Sequence, residues 1–199
     1  MLERTAPSRA SLRDGVRAFV AVFPPLAVRE ALVGAARELP VAGEVRWVRP
    51  ENVHLTLKFL GDVSEDDLLD RVTEALEPIR ERHEPFEAEP SGFGAFPSTR
   101  RARILWAGIG EGSEPLRALA KDVEASLNPL GFGREDRVYR PHLTLGRARS
   151  RPVVLEATGS PSTVPGFSVR HVELVQSVLE SAGATYSTLA TYALSEDRD

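Results

Sequence analysis

The 199-residue chain contains no cysteine. Disulfides, thiolate metal sites, iron-sulfur clusters and cysteine nucleophiles are therefore excluded. It also lacks any apolar run of the roughly 18 residues that a membrane helix needs, and its first residues, MLERTAPSRASLRDG, lack the apolar stretch of a secretory signal. The expectation is a cytoplasmic protein with no membrane partner. Histidine is scarce, with four in the chain, and neither H-x-H nor HExxH occurs. A metal site built on histidine would need ligands that no motif supplies. The chemistry must come from histidine, hydroxyls and charged groups.

What is present suits a sizeable core, since 42% of the residues are hydrophobic and 27% charged. The formal net charge of −4 is unevenly spread: residues 62–89 hold eleven acidic residues against three arginines. Arg134, Arg137, Arg140, Arg147, Arg149 and Arg151 crowd together later in the chain. Such a cluster fits either an anionic ligand or a solvated loop paired with Glu135 and Asp136.

Hydrophobic periodicity predicts a buried strand over Arg17–Phe23, a helix opened by Pro24 and Pro25 to about Leu39, a short extended piece over Val45–Val48 and a strong strand over Val53–Leu60 stopped by Gly61. Ser64 is expected to cap an acidic helix, with Asp67 in its first turn, that buries Leu68, Leu69, Val72, Leu76 and Ile79 and ends by Pro85. Strands are predicted at Phe86–Gly92 and Ala102–Gly108, around an aromatic and basic loop, GFGAFPSTRRAR, suited to lining a site. A helix capped by Ser113 is expected to run to about Leu127. Two last strands, Phe167–Leu179 and Thr185–Leu194, are joined by the turn ESAGA. The short strand-to-strand links demand antiparallel pairing, so the expected class is α+β. Residues 1–14 and 195–199 are expected to be tails.

One tetrapeptide, HLTL, occurs twice, at His54–Leu57 and at His142–Leu145. On a strand, alternate side chains share a face, so each copy offers a histidine and a threonine on one side and two leucines on the other. Two imidazoles can act as acid and base near neutral pH, while hydroxyls steady the oxygens of a phosphodiester. This reading makes His54 and His142 the catalytic pair, without saying which is acid, and Thr56 and Thr144 the phosphate-binding hydroxyls. Lys58, four residues beyond His54, is expected on the same face as a further phosphate ligand. Its counterpart Gly146 is expected to leave room for substrate. Arg147 has the wrong parity unless the strand ends or twists after Leu145, and Arg140 is a comparable candidate. His83 and His171 are expected to be structural.

The stretches RAFVAVFPP, HLTLKFLGD, ILWAG, YRPHLTLGR and LVQSVL, with two H-x-T-x motifs 88 residues apart, resemble the two-histidine (2H) phosphoesterases, in particular the bacterial and archaeal RNA 2',3'-cyclic phosphodiesterases, historically called 2'-5' RNA ligases. The resemblance covers residues 15–194. It implies one bilobal α+β domain whose two pseudo-symmetric antiparallel sheets face each other across a central cleft, with helices outside. It further implies metal-independent hydrolysis of RNA 2',3'-cyclic phosphate ends to 2'-phosphomonoesters, with no cofactor. His54 would be the proton donor and His142 the proton acceptor, Thr56, Thr144 and Arg147 would hold phosphate, and an aromatic side chain would stack on the terminal base. The expected partner is an RNA or oligonucleotide end, acted on by a monomer. Reversible 2'-5' ligation and a non-catalytic RNA-end or nucleotide binding module remain open at this point.

Overall fold

Seven residues, apolar or small except for Arg17, extend as β1 (Val16–Val22), and all but Arg17 are buried. The computed structural model describes residues 16–63, 68–135, 137–159, 164–180 and 183–195. Ser64, Asp67, both expected tails apart from Ser195, and the middle of the ESAGA turn lie outside the described residues. After β1 come α1 (Leu26–Arg37), β2 (Val41–Ala42), β3 (Val45–Trp47) and β4 (Leu55–Val63). There follow α2 (Leu68–Leu76), α3 (Ile79–Arg82), β5 (Phe86–Ala88), β6 (Pro90–Phe96), β7 (Ile104–Ile109) and α4 (Ser113–Leu127). The chain closes with β8 (His142–Ala148), β9 (Val154–Leu155), β10 (Phe167–Val169), β11 (His171–Glu180) and β12 (Gly183–Ala193).

The fold is α+β with antiparallel pairing, as the short links require. Two half-sheets, β12-β11-β1-β4 and β6-β7-β8 with β3 on the flank of β8, are joined among the described residues through one residue pair, Leu55 with Leu143. The two sheets expected to be separate are thus one hydrogen-bonded path, pinched at its middle. Helices α1, α2, α3 and α4 pack on one face. Leu32, Val72, Leu76, Ile79, Leu116, Leu119 and Val123 meet Val20, Leu55, Leu57, Leu143 and Leu145 there in a single core. The leucines of both tetrads are therefore buried against helices, and the opposite face stays open.

Local chemistry moves several boundaries. The single acidic helix is split because Pro78, which lacks an N–H donor, sits at the start of α3. Gly61 does not stop β4. With φ at 73°, it sits where the register against β1 slips, and the strand runs on to Val63. Gly112, not Ser113, occupies the cap position of α4. The long strand expected from Phe167 divides at Arg170, so that β10 pairs with β5 while β11 joins β1 and β12.

Candidate active site

The register around Leu55 and Leu143 builds the site. Antiparallel geometry centred on that pair sets His54 across from Thr144 and Thr56 across from His142, all on the open face. The strands that carry them hold this orientation. Thr56 pairs with Ala21 of β1, and Thr144 pairs with Trp106 of β7.

Each imidazole is anchored in the same way. His54 Nδ1 lies 2.8 Å from the Asn52 carbonyl, and His142 Nδ1 lies 2.7 Å from the Arg140 carbonyl. A carbonyl oxygen only accepts, so Nδ1 carries the hydrogen in both rings and each Nε2 is left for other partners. The Asn52 turn is itself braced. Arg29 donates to the carbonyl of Glu51 at 2.8 Å, and the Asn52 amide donates to the carbonyl of Ala184 at 2.7 Å, tying the turn to β12.

Aromatic rings frame both histidines. His54 stacks on Phe19 at 4.7 Å between centroids and meets Phe23 and Tyr186 at 5.3 Å each. His142 meets the edge of Phe96 at 5.1 Å, beside Trp106. Phe96 belongs to the aromatic and basic segment that the sequence marked as site-lining. Phe19, Phe23, Trp106 and Tyr186 carried no signal of their own, because an aromatic in a strand reads as core. Arg29 and Asn52 were missed because they act on backbone carbonyls, which side-chain patterns do not reveal.

The parity question at Arg147 has a physical answer. Along β7, Ile104 pairs with Arg147, Leu105 with Gly146, and Trp106 with Thr144, so Leu145 is skipped as a bulge. Ile104, Trp106 and Gly108 alternate onto one face, and their partners Arg147, Thr144 and His142 share it. The extra residue thus returns Arg147 to the site.

The same slip in β4 moves Lys58 away. Val20 pairs with Lys58 and Ala21 with Thr56, skipping Leu57, so Lys58 faces the helices. It is 4% exposed, pairs with Glu124 of α4 at 3.2 Å and donates to the carbonyl of Gly133. The expectation that Lys58 binds phosphate is therefore corrected: it fastens the loop before β8 to α4. Glu124 completes the clamp by accepting from the Glu135 backbone N–H at 2.6 Å. Gly146 is corrected likewise. It is buried, and a Cβ there would come within 2.7 Å of Val45 Cγ1, so it makes room for β3 rather than for a ligand. Arg140 offers the site its carbonyl. His83 pairs with Asp122 at 2.9 Å, as expected of a structural residue, and His171 is an exposed residue at the start of β11.

Electrostatics acts on His54. Burial pushes His54 down from 6.5 to about 4; the bond to Asn52 opposes this, while Arg147, His142 and Arg29 add to it. His54 is consequently neutral at pH 7 in the free protein. Arg147 and His142 thus lie within electrostatic reach of His54. Among the described residues, no three His, Asp or Glu side chains are grouped to hold a metal ion.

Comparison with known proteins places the chain among named relatives. The family model described as LigT like phosphoesterase matches residues 22–106. The RNA 2',3'-cyclic phosphodiesterase of Archaeoglobus fulgidus is 37% identical over 180 residues, covering 89% of this chain and 99% of the relative. The enzyme of the same name from Aquifex aeolicus is 34% identical, covering 90% of this chain and 97% of the relative. The chain belongs to the LigT-like phosphoesterase family. The crystal structure of a Thermus thermophilus protein superposes with a TM-score of 0.72 at 30% identity, covering 89% of this chain and 97% of the other. Membership makes the chain a phosphoesterase of the two-histidine kind.

Stability, phosphate-affinity and titration measurements test the placement of these side chains. Lys58→Met should lower folding stability by about 1–3 kcal/mol in urea denaturation, while Arg147→Gln should leave stability nearly unchanged and weaken phosphate binding. A weaker phosphate affinity in the lysine variant with unchanged stability would return Lys58 to the site. Proton NMR should find His54 titrating near pH 4. The unfolded chain then binds more protons than the native one between pH 6.5 and about 4, so stability should fall as pH drops through that window. His54→Gln should remove part of that fall, and a thermal-shift slope identical to wild type would contradict the depressed pKa.

Proposed function

We propose that the protein hydrolyses RNA 2',3'-cyclic phosphate ends to 2'-phosphomonoesters by acid-base catalysis between His54 and His142, without a metal. The observation that carries this is the matched pair of Nδ1 anchors at the Leu55–Leu143 seam, which leaves two Nε2 atoms on one open face. Binding alone needs no such pair. The names of the relatives from Archaeoglobus fulgidus and Aquifex aeolicus support the substrate class.

His142 Nε2 takes a proton from a water, whose oxygen attacks phosphorus while the bond from phosphorus to O3' breaks. His54 Nε2–H passes its proton to the departing O3', leaving the phosphate on O2'. One water is consumed, and the two rings return to their starting state by exchanging protons with solvent. Thr56, Thr144 and Arg147 steady the non-bridging oxygens as charge builds. His54 is neutral in the free protein, so its donor role requires a proton taken up from solvent as the substrate binds. An anionic phosphate offsets the positive field of Arg147 and so favours the imidazolium. Phe59 lies on the site face because it pairs with Phe19; it is 64% exposed and offers a stacking surface to the terminal base.

An oligonucleotide ending in a 2',3'-cyclic phosphate tests the reading. The expected product is the 2'-phosphate, identified by phosphorus NMR, with full turnover in EDTA. His54→Ala and His142→Ala should each slow turnover by roughly 10² to 10⁴. A 3'-phosphate product would reverse the leaving group, and activity lost in EDTA but restored by a divalent ion would replace the acid-base pair with a metal.

A further inference from the structure

Resting on that reading of the cleft, we propose that Arg46 forms a second phosphate site beside Arg147, which takes the phosphodiester next to the reactive end and makes an oligonucleotide a better substrate than a nucleoside 2',3'-cyclic phosphate.

The register of β3 against β8 places Arg46 directly opposite Arg147. Flanking Val45 and Trp47 turn inward onto Gly146, so Arg46 faces the open side with Arg147. Both arginines are exposed. Like charges directly opposite on neighbouring strands repel. Among the described residues neither has a carboxylate partner. The pair is therefore at its best when an anion lies over it.

The two side chains also reach different places. Arg147 acts on His54 and on the Tyr186 hydroxyl. The guanidinium of Arg46 lies at Gly183, where an added Cβ would stand 3.0 Å from its Nη2. Gly183 and Tyr186 are three residues apart on β12, about 10 Å along the strand. Arg147 thus serves the reacting phosphate, and Arg46 lies farther out, at the end of the β11–β12 hairpin. Two opposed cations of which one reaches out to Gly183 suit successive phosphates of a single strand better than two oxygens of one phosphate.

Steady-state kinetics on a nucleoside 2',3'-cyclic phosphate and on a trinucleotide with the same terminal group tests this with wild type, Arg46→Gln and Arg46→Lys. Arg46→Gln should raise the trinucleotide KM roughly tenfold, with the mononucleotide KM moving at least fivefold less. The slope of log kcat/KM against log salt for the trinucleotide should flatten by about 0.7, one single-strand phosphate contact, and Arg46→Lys should restore it. The Tm of Arg46→Gln should equal or exceed that of wild type, because a repulsion has been removed. Equal losses on both substrates, or a lowered Tm, would assign Arg46 to holding the hairpin and overturn the proposal. Should wild type hydrolyse neither substrate, the proposed reaction fails while Arg46 is still tested. Fluorescence anisotropy with a 3'-phosphorylated trinucleotide should then show weaker binding by Arg46→Gln, and unchanged binding would overturn the site.

Discussion

The contact between Leu55 and Leu143 is the point on which the rest of this structure depends. Among the described residues it is the strand pair linking the half-sheet that carries the first tetrad to the half-sheet that carries the second. Because the two strands run antiparallel, one apolar contact fixes both copies at once: leucines toward the helices, imidazoles and hydroxyls toward the open face. A duplicated sequence at a seam of this kind produces a local two-fold arrangement, and in-line displacement at phosphorus asks for groups at its two ends. The burial of Leu55 and Leu143 in the core stabilises this geometry, so the folding of the protein and the assembly of its site rest on the same contact.

Much of this could be read from the chain. Repetition marked the histidines and threonines, and strand parity gave the correct face to all four. Parity failed at the next positions in both copies, for one reason. Each strand skips its second leucine, Leu57 or Leu145, against its neighbour, and every side chain beyond the slip changes face. Lys58 therefore goes to the core and Phe59 to the site, while Gly146 goes to the core and Arg147 to the site. A bulge has no composition of its own, although two successive buried positions after each HLT, Leu57–Lys58 and Leu145–Gly146, betray it once burial is known. The continuity of the two half-sheets was equally hidden, because a single pairing between segments far apart in the chain leaves no periodic trace.

The slip also breaks the symmetry that the repeat creates, and this gives the two halves different work. The position five residues beyond the first histidine holds an aromatic ring, and the one beyond the second holds a guanidinium. One side of the site can stack while the other neutralises charge. The environments of the imidazoles follow the same division. His54 lies among Phe19, Phe23 and Tyr186 and within the field of Arg147, which together hold it neutral. The ring contacts of His142 among the described residues are T-shaped, with Phe96 at 5.1 Å and Trp106 at 6.4 Å.

That asymmetry bears on how the reaction can be gated. A proton donor that rested as an imidazolium would repel Arg147 in the empty site and would lose much of its charge stabilisation to the surrounding rings. A neutral His54 avoids both costs, and in the proposed mechanism the negative charge of a bound phosphate is what makes protonation favourable. Proton uptake and phosphate binding then become linked quantities, each strengthening the other by the same free energy. In the proposed reaction the acid is therefore formed when substrate binds, which reconciles the depressed pKa of the free protein with the donor role proposed for His54.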